Sequence, residues 1–242
     1  MDLFSGTGGV SRACRQLGVA ARNWELSDGV KYDLTSPGVL RAVKQEIRGG
    51  HVLAASLGPP CGSFGPAGNR RKAIRSALFP WGLPAADLTE REIVRVAEGN
   101  ATMQAAFEII KSLQRQRVPW VLEHPHASYV FKTTQMLQWL ESDSVHFRVV
   151  DQCRFGSPWR KRTRLIFGNI DPLDTERLNV MCTGGGGFCG NGKRHVILQG
   201  GAGHGKDMTS LAQAYPKRMC VALAQSLTAA SRAKLYNRDE HS

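Results

Sequence analysis

A single cysteine, Cys61, follows two prolines and stands among glycines in the segment GPPCGSFG, residues 58–65. An apolar run that predicts a buried strand ends just before it, at Leu57. The rigid Pro59-Pro60 pair fixes the direction in which the chain leaves the strand, and the glycines leave room for a flat substrate. A lone cysteine is usually a structural thiol. Because this loop is polar and basic, so that arginines could stabilise a thiolate, we expect Cys61 to act as a nucleophile.

A glycine-rich turn, DLFSGTGG at residues 2–9, connects a predicted strand to a predicted helix. Such a turn lets a ligand approach the backbone and presents helix amides to an anionic group, although tight helix–sheet packing alone also requires glycines. Glu25 ends the next strand and could bind ribose hydroxyls. Asp33, in the following loop, could accept a hydrogen bond from an adenine amine. Each acid taken separately is more typical of a surface charge, but a glycine turn followed by an acid at the next strand end indicates a nucleoside cofactor site.

Two further patterns place ionisable groups beside apolar strands. Glu123 ends the strand in WVLEHP, where burial is expected to keep the carboxyl protonated and able to donate to a ring nitrogen. Arg162 and Arg164 alternate before another strand, so we expect both on one face, holding a carbonyl oxygen and phosphates. The competing interpretations are a structural glutamate–arginine pair and a solvated basic edge.

The elements that must position these residues alternate between strands and helices. Apolar runs predict strands that end near Leu3, Leu26, Leu57 and Leu122, with two more at 145–150 and 165–167. Helices are predicted at 10–17, after Ser36-Pro37, after an Asn100 cap, around 136–140 and after Pro216. This order predicts one α/β domain over residues 1–242, with a doubly wound, mostly parallel, Rossmann-like sheet that binds ligands at its strands' carboxyl ends.

Three segments interrupt this alternation. The long connection at 58–88 is expected to be a mobile functional loop. A glycine-rich insert occupies 170–205, and residues 231–242 are expected to be a frayed tail.

Composition restricts the class of protein. Lysine and arginine outnumber the acids 32 to 20 and give a formal net charge of +12, which favours a polyanionic partner, although a basic surface kept for solubility is the alternative. No apolar run approaches the roughly 18 residues of a membrane span. The 6 cysteines show no disulfide framework spacing. We expect a soluble, monomeric, intracellular protein, nuclear or cytoplasmic, with no membrane contact.

The order of the four motifs, over roughly residues 2–168, resembles that of the DNA (cytosine-5)-methyltransferases. The resemblance implies the Rossmann-like methyltransferase fold, an S-adenosylmethionine cofactor and a DNA partner. It implies that Glu25 lies at the ribose, Asp33 at the adenine, and that the helix after Pro216 closes the cofactor site. The remaining implied cofactor contacts are Phe4, Ser5, Gly6, Gly8, Gly9 and Pro59. The implied catalytic residues are Cys61, Glu123 at the cytosine N3, and Arg162 or Arg164 near the cytosine O2.

The chemistry of that family explains these residue types. A thiolate adds to carbon 6 of cytosine while Glu123 protonates N3, which makes carbon 5 nucleophilic enough to accept the methyl group. Loss of the carbon 5 proton then expels Cys61. The target base must leave the duplex stack, and the loop at 62–88 is a candidate to close over it. Arginine–phosphate contacts would make binding strongly dependent on salt.

The chain departs from the family pattern at several positions, where Glu-Asn-Val is Glu123-His124-Pro125, a closing serine is Gly65 and Trp159 stands near an expected glutamine. The insert at 170–205 takes the place of a larger target-recognition region. Its small surface leaves an RNA cytosine-5 methyltransferase as one alternative. A catalytically inactive nucleic-acid-binding module that keeps the fold and the positive face is the other, and the intact Cys61, Glu123 and arginine pair argue against it. Comparing methylation of duplex DNA with methylation of transfer RNA tests the RNA alternative. A covalent adduct between the chain and DNA would exclude the inactive module.

The insert also contains thiols and imidazoles that could bind zinc. Cys182, Cys189 and His195 could be completed by His204 or by Cys153. Their spacing matches no standard zinc pattern. We therefore predict unligated thiols in a glycine loop and no metal, with metal analysis of the purified protein as the deciding measurement.

Overall fold

The computed structural model describes residues 1–65, 72–198 and 211–239. Within them six strands form one sheet in the order β2–β1–β3–β4–β6–β5. The strands are β1 (Asp2–Leu3), β2 (Asn23–Trp24), β3 (Ala55–Leu57), β4 (Trp120–Pro125), β5 (Val145–Asp151) and β6 (Arg162–Gly168). The pairings among β1 to β4 are parallel, whereas β6 runs antiparallel to both its neighbours, β4 and β5. The predicted α/β class with a mostly parallel sheet is confirmed, and the arrangement is compatible with a Rossmann-like fold.

Helices cover both faces of the sheet. They are α1 (Gly9–Gln16), α2 (Pro37–Arg48), α3 (Glu90–Arg115), α4 (Thr134–Leu140) and α5 (Lys217–Asp239). One buried cluster joins residues of α2, α3 and α4 to Trp120 and Leu122, and a second joins residues of α1 and α5 to Val121 and Leu165. Because side chains alternate along a strand, Glu123 follows Val121 onto the face of α1 and α5.

Several boundaries differ from the sequence prediction, among them the start of β6 at Arg162, and those of α3 and α5 differ most. Helix α3 begins at Glu90, where Thr89 and Glu92 form a capping box, so the prediction that Asn100 caps it is wrong. A good capping sequence upstream lets the helix run through Asn100, whose side chain instead bonds to a neighbouring loop. Helix α5 extends through Asp239. The prediction of a frayed tail that begins at Ser231 is therefore wrong for residues 231–239. Buried Ser231 donates to the carbonyl of Leu227, and 240–242 lie outside the described residues.

Part of the predicted mobile loop is packed against α3, whereas other residues, such as Leu78, are exposed. Ile74 and Arg75 are almost fully buried, and Trp81 packs on the core. Arg70 and Arg71, part of the basic cluster in this loop, lie outside the described residues. Among the helices of the described ranges, none combines the length and apolarity needed to cross a bilayer.

Candidate active site

Three of the predicted motifs meet at one edge of the sheet. Leu3 of β1 pairs with Leu57 of β3, which pairs with Leu122 of β4. Since these strands are parallel, the segments that follow them leave the sheet side by side. The glycine turn, the loop of Cys61 and Glu123 are therefore neighbours, as expected for ligand binding at strand carboxyl ends.

A cleft of about 270 Å³, including its open mouth, lies at this edge. Three residues named from the sequence, Phe4, Ser5 and Glu123, are part of its wall. A second buried acid, Asp2, also lines it, accepting hydrogen bonds from the Ser56 hydroxyl and the Ser11 amide. The rest of the wall is Val10, Ser56, Leu57, Gly58, Val121, Tyr215 and Leu223.

The glycines of the turn have different roles. A side chain at Gly8 would come within 2.5 Å of Asn23, and one at Gly9 within 2.6 Å of the Cys220 sulfur, so packing explains both. Gly6 has a left-handed φ of 51° and open space where a Cβ would project. Phe4 has a φ of 52°, a strained value for a residue with a side chain that is typical of functional turns.

The two acids predicted for the cofactor differ in their contacts. Glu25 reaches the glycine turn, where its Oε2 accepts a hydrogen bond from the Gly6 amide at 2.6 Å. Asp33 instead accepts from the amide and hydroxyl of Thr35, at 2.9 and 2.6 Å, and so closes its own local turn. The structure therefore brings Glu25, and not Asp33, into contact with the turn.

Cys61 is half-buried beside the cleft. Burial raises the pKa of its thiol, the Glu123 carboxylate raises it further, and Lys161 lowers it. Among the described residues the cation acting on the sulfur is therefore Lys161, whereas the loop arginines Arg70 and Arg71 lie outside them. Pro59, buried directly after β3, directs the chain into this loop, and the Gly65 amide donates to the Cys61 carbonyl at 2.7 Å.

Tyr215, which the sequence interpretation missed, holds Glu123 in place. Its hydroxyl donates to Glu123 Oε2 at 2.9 Å, and burial together with Glu123 raises the pKa of Tyr215 well above its usual value. Glu123 Oε1 is buried and has no hydrogen-bond partner among the described residues. The Tyr215 hydroxyl needs the glycine at position 58, where a Cβ would lie only 2.5 Å away. The one sequence signal was the position of Tyr215 directly before Pro216.

The two predicted arginines do not join Glu123. Arg162 binds buried Asp151 through two hydrogen bonds of 2.9 Å, a structural ion pair. Arg164 pairs in register with His124, on the sheet face opposite Glu123, and its guanidinium stacks over Phe131 at 4.5 Å. Lys161 is the basic residue that comes closest to the position predicted for the arginines. Its charge lowers the pKa of Cys61, and it lies two residues before Thr163, which is on the Glu123 face of the sheet.

A buried arginine fixes the loop of Cys61 from behind. Arg75 donates to the Ser63 hydroxyl, to the Val96 carbonyl and to Asn100, and its guanidinium lies 3.7 Å from the ring centre of Phe64. Burial lowers the pKa of Arg75 to about 10, so it remains a cation.

The histidine of the Glu-His-Pro segment is structural. His124 is fully buried between the rings of Phe64 and Phe131, and burial lowers its pKa to about 3. It is therefore neutral and belongs to the packing of the site rather than to its chemistry.

Comparison with known proteins adds no assignment, because no family model and no curated protein matches this chain.

Proposed function

We propose that this chain transfers a methyl group from S-adenosylmethionine to carbon 5 of cytosine in DNA, with Cys61 as the nucleophile. The observation that carries the proposal is the meeting of the Cys61 loop, Glu123 and the glycine turn at the carboxyl ends of β1, β3 and β4. This combination places a thiol beside a cleft whose wall contains an acid and part of an open backbone turn.

The residues at the glycine turn fit an adenosyl cofactor. The Ser5 hydroxyl is buried in the cleft wall with no partner among the described residues, so a ligand polar group would satisfy it. Gly6 leaves its Cβ position open, and Glu25 is already at the turn to accept ribose hydroxyls. When bound, S-adenosylmethionine supplies an electrophilic methyl group.

The protein groups divide the work on the cytosine ring. The Cys61 sulfur, as a thiolate, forms a bond to carbon 6, and the ring electrons move toward N3. Glu123 supplies the proton at N3. Because Tyr215 occupies Oε2, the free Oε1 is the oxygen that carries that proton, and Tyr215 is a positioning residue. Lys161 offsets part of the rise in the pKa of Cys61 that burial and Glu123 cause.

The charge of the chain supports a nucleic-acid substrate. A formal net charge of +12 favours association with the phosphate backbone, and such binding weakens steeply as salt rises. A base that is stacked in a duplex cannot reach a cleft at a sheet edge, so the proposal requires the cytosine to be flipped out.

The direct test measures transfer of a labelled methyl group to duplex DNA containing cytosine. We expect label at carbon 5 with the wild-type chain, none with Cys61→Ala, and unchanged transfer with Cys14→Ala, which removes a thiol from α1. Transfer RNA is the parallel substrate. Label on RNA alone would replace DNA by RNA in the proposal, and cofactor binding without transfer to either would leave a binding module.

A further inference from the structure

Four potential metal ligands converge outside the candidate active site. The sulfur atoms of Cys153, Cys182 and Cys189 and a ring nitrogen of His195 all lie within 4.8 Å of one another. Cys182 Sγ lies 3.7 Å from Cys189 Sγ and 3.8 Å from His195 Nε2. A tetrahedron with Zn–S bonds of about 2.3 Å has edges of about 3.8 Å, so these spacings fit a shared central ion.

The ligands come from three separate pieces of chain. Cys153 lies in the 3-10 turn that follows β5, Cys182 lies in an extended segment, and Cys189 and His195 belong to a small hairpin. The hairpin is closed by a bridge between Phe188 and Arg194. Residues so far apart along the chain, 42 positions from first to last, converge only if the fold brings them together.

The glycines of this segment build a compact knuckle. A side chain at Gly184 would overlap the backbone of 188–190, and one at Gly190 would overlap Thr183. Gly187 and Gly192 have left-handed φ angles of 86° and 80°. The glycine-rich composition, which predicted a loose loop, is therefore required by tight turns around the sulfur atoms.

Nothing apolar holds the knuckle together. Between 181 and 198 the only buried residues are Cys182 and Cys189, and exposed apolar side chains such as Phe188 and Ile197 make no core. A segment of this size without a core depends on a cross-link, either a disulfide or a metal ion. The Cys182 and Cys189 sulfur atoms lie 3.7 Å apart, well beyond the roughly 2.05 Å of a disulfide bond, and this spacing favours a shared metal ion.

The surroundings also favour thiolate ligands. The backbone amides of Gly184 and Gly190 donate hydrogen bonds to the Cys182 sulfur. Amides that donate to a sulfur are the usual support of a metal-bound thiolate.

We propose that Cys153, Cys182, Cys189 and His195 bind one structural Zn²⁺ ion. Three thiolates and one imidazole in a closed tetrahedral set are a structural zinc site, and the soft sulfur ligands disfavour magnesium and calcium. His204, the alternative fourth ligand, lies outside the described residues. None of these four ligands is part of the cleft wall.

The ion would also stabilise the start of β6. The Cys182 amide donates to Asp151 Oδ2 at 2.8 Å, and the same carboxylate binds Arg160 and Arg162. Zinc therefore fixes the chain that positions Lys161, next to these arginines, at the active site.

The test is the metal content of the chain purified without chelators. We expect one zinc per chain in the wild type and in Cys14→Ala, and at least about tenfold less in Cys189→Ser. Because Cys189→Ser could fail to fold, His195→Cys serves as the second variant. It keeps four ligands, so it retains the metal, and cobalt substitution gives a tetrahedral spectrum that differs from that of the wild type.

Thiol counting separates zinc from the alternatives. Chelation of the wild-type chain is expected to make three additional thiols reactive, those of the cluster. Two results would overturn the proposal: a chain without zinc whose cluster thiols react before chelation, or a mass deficit that shows a Cys182–Cys189 disulfide.

Discussion

The contact between Gly58 and Tyr215 gives a sharp test of how Glu123 is held. In Gly58→Ala the new methyl group would lie 2.5 Å from the Tyr215 hydroxyl oxygen but 3.6 Å from the ring carbon that carries it. The main clash is thus with the hydroxyl, and the Phe4 carbonyl oxygen, at 3.3 Å, is a second, milder one. Displacing the hydroxyl also breaks the hydrogen bond to buried Glu123.

The expected energies follow from these distances. Gly58→Ala should lower the free energy of unfolding by about 2 to 3 kcal/mol, through overpacking and the lost hydrogen bond. Tyr215→Phe should cost about 1 to 2 kcal/mol, because it leaves a buried carboxyl oxygen unpaired. In the double variant only the 3.3 Å contact with the Phe4 carbonyl oxygen stays tight, so adding Gly58→Ala should cost about 1 kcal/mol further.

Urea unfolding of the wild type, both single variants and the double variant completes the cycle. We expect a coupling energy of about 1 to 2 kcal/mol between the two positions. Gly62→Ala is the matched control in the same loop, since open space surrounds its Cβ position, and should change stability little. Additivity of the two substitutions within about 0.5 kcal/mol would refute the described packing of Tyr215.

Three further predictions concern charge. Arg75→Met removes four hydrogen bonds of a buried guanidinium and should lower the free energy of unfolding by about 3 kcal/mol. A loss of less than about 1 kcal/mol in urea unfolding would show that these contacts are incidental. The pH midpoint of Cys61 alkylation should move up in Lys161→Met and down in Glu123→Gln; equal midpoints would contradict the assigned charges. Burial raises the pKa of Asp151, but its hydrogen bonds outweigh this and leave the pKa lowered. The stability that ionised Asp151 contributes is therefore complete above about pH 4 and lost below it. Asp151→Asn should be less stable than the wild type at pH 7 and should not show this loss of stability in acid. Urea unfolding at a series of pH values measures both.

The sequence predicted the framework because its signals are local. Apolar runs located the strands, and Pro37 and Pro216 marked two helix starts that lie within a residue of the observed ones. The predicted start of α3 was wrong because Thr89 and Asn100 are both residue types that can cap a helix. In the fold the Asn100 side chain bonds to Arg75 instead, a tertiary contact that the sequence does not show.

The site was predictable only in part. Cys61 follows β3 and Glu123 lies in β4, and because these strands are parallel neighbours, sequence order alone implied that the two residues meet. The partners of Arg162 and Arg164 depend on the register of an antiparallel strand, which shifts a side chain from one sheet face to the other. Tyr215 reaches Glu123 from 92 positions away, a distance at which no periodicity in the sequence carries information.

The central claim is that the Cys61 sulfur bonds to a cytosine ring beside a methyl donor. Duplex DNA carrying 5-fluorocytosine traps that bond, because fluorine replaces the proton whose loss would release the enzyme. With S-adenosylmethionine present, we expect a covalent complex of slow electrophoretic mobility for the wild type and none for Cys61→Ala. A wild-type chain that binds the labelled cofactor and this DNA yet forms no adduct, or an adduct that persists in Cys61→Ala, would contradict the account.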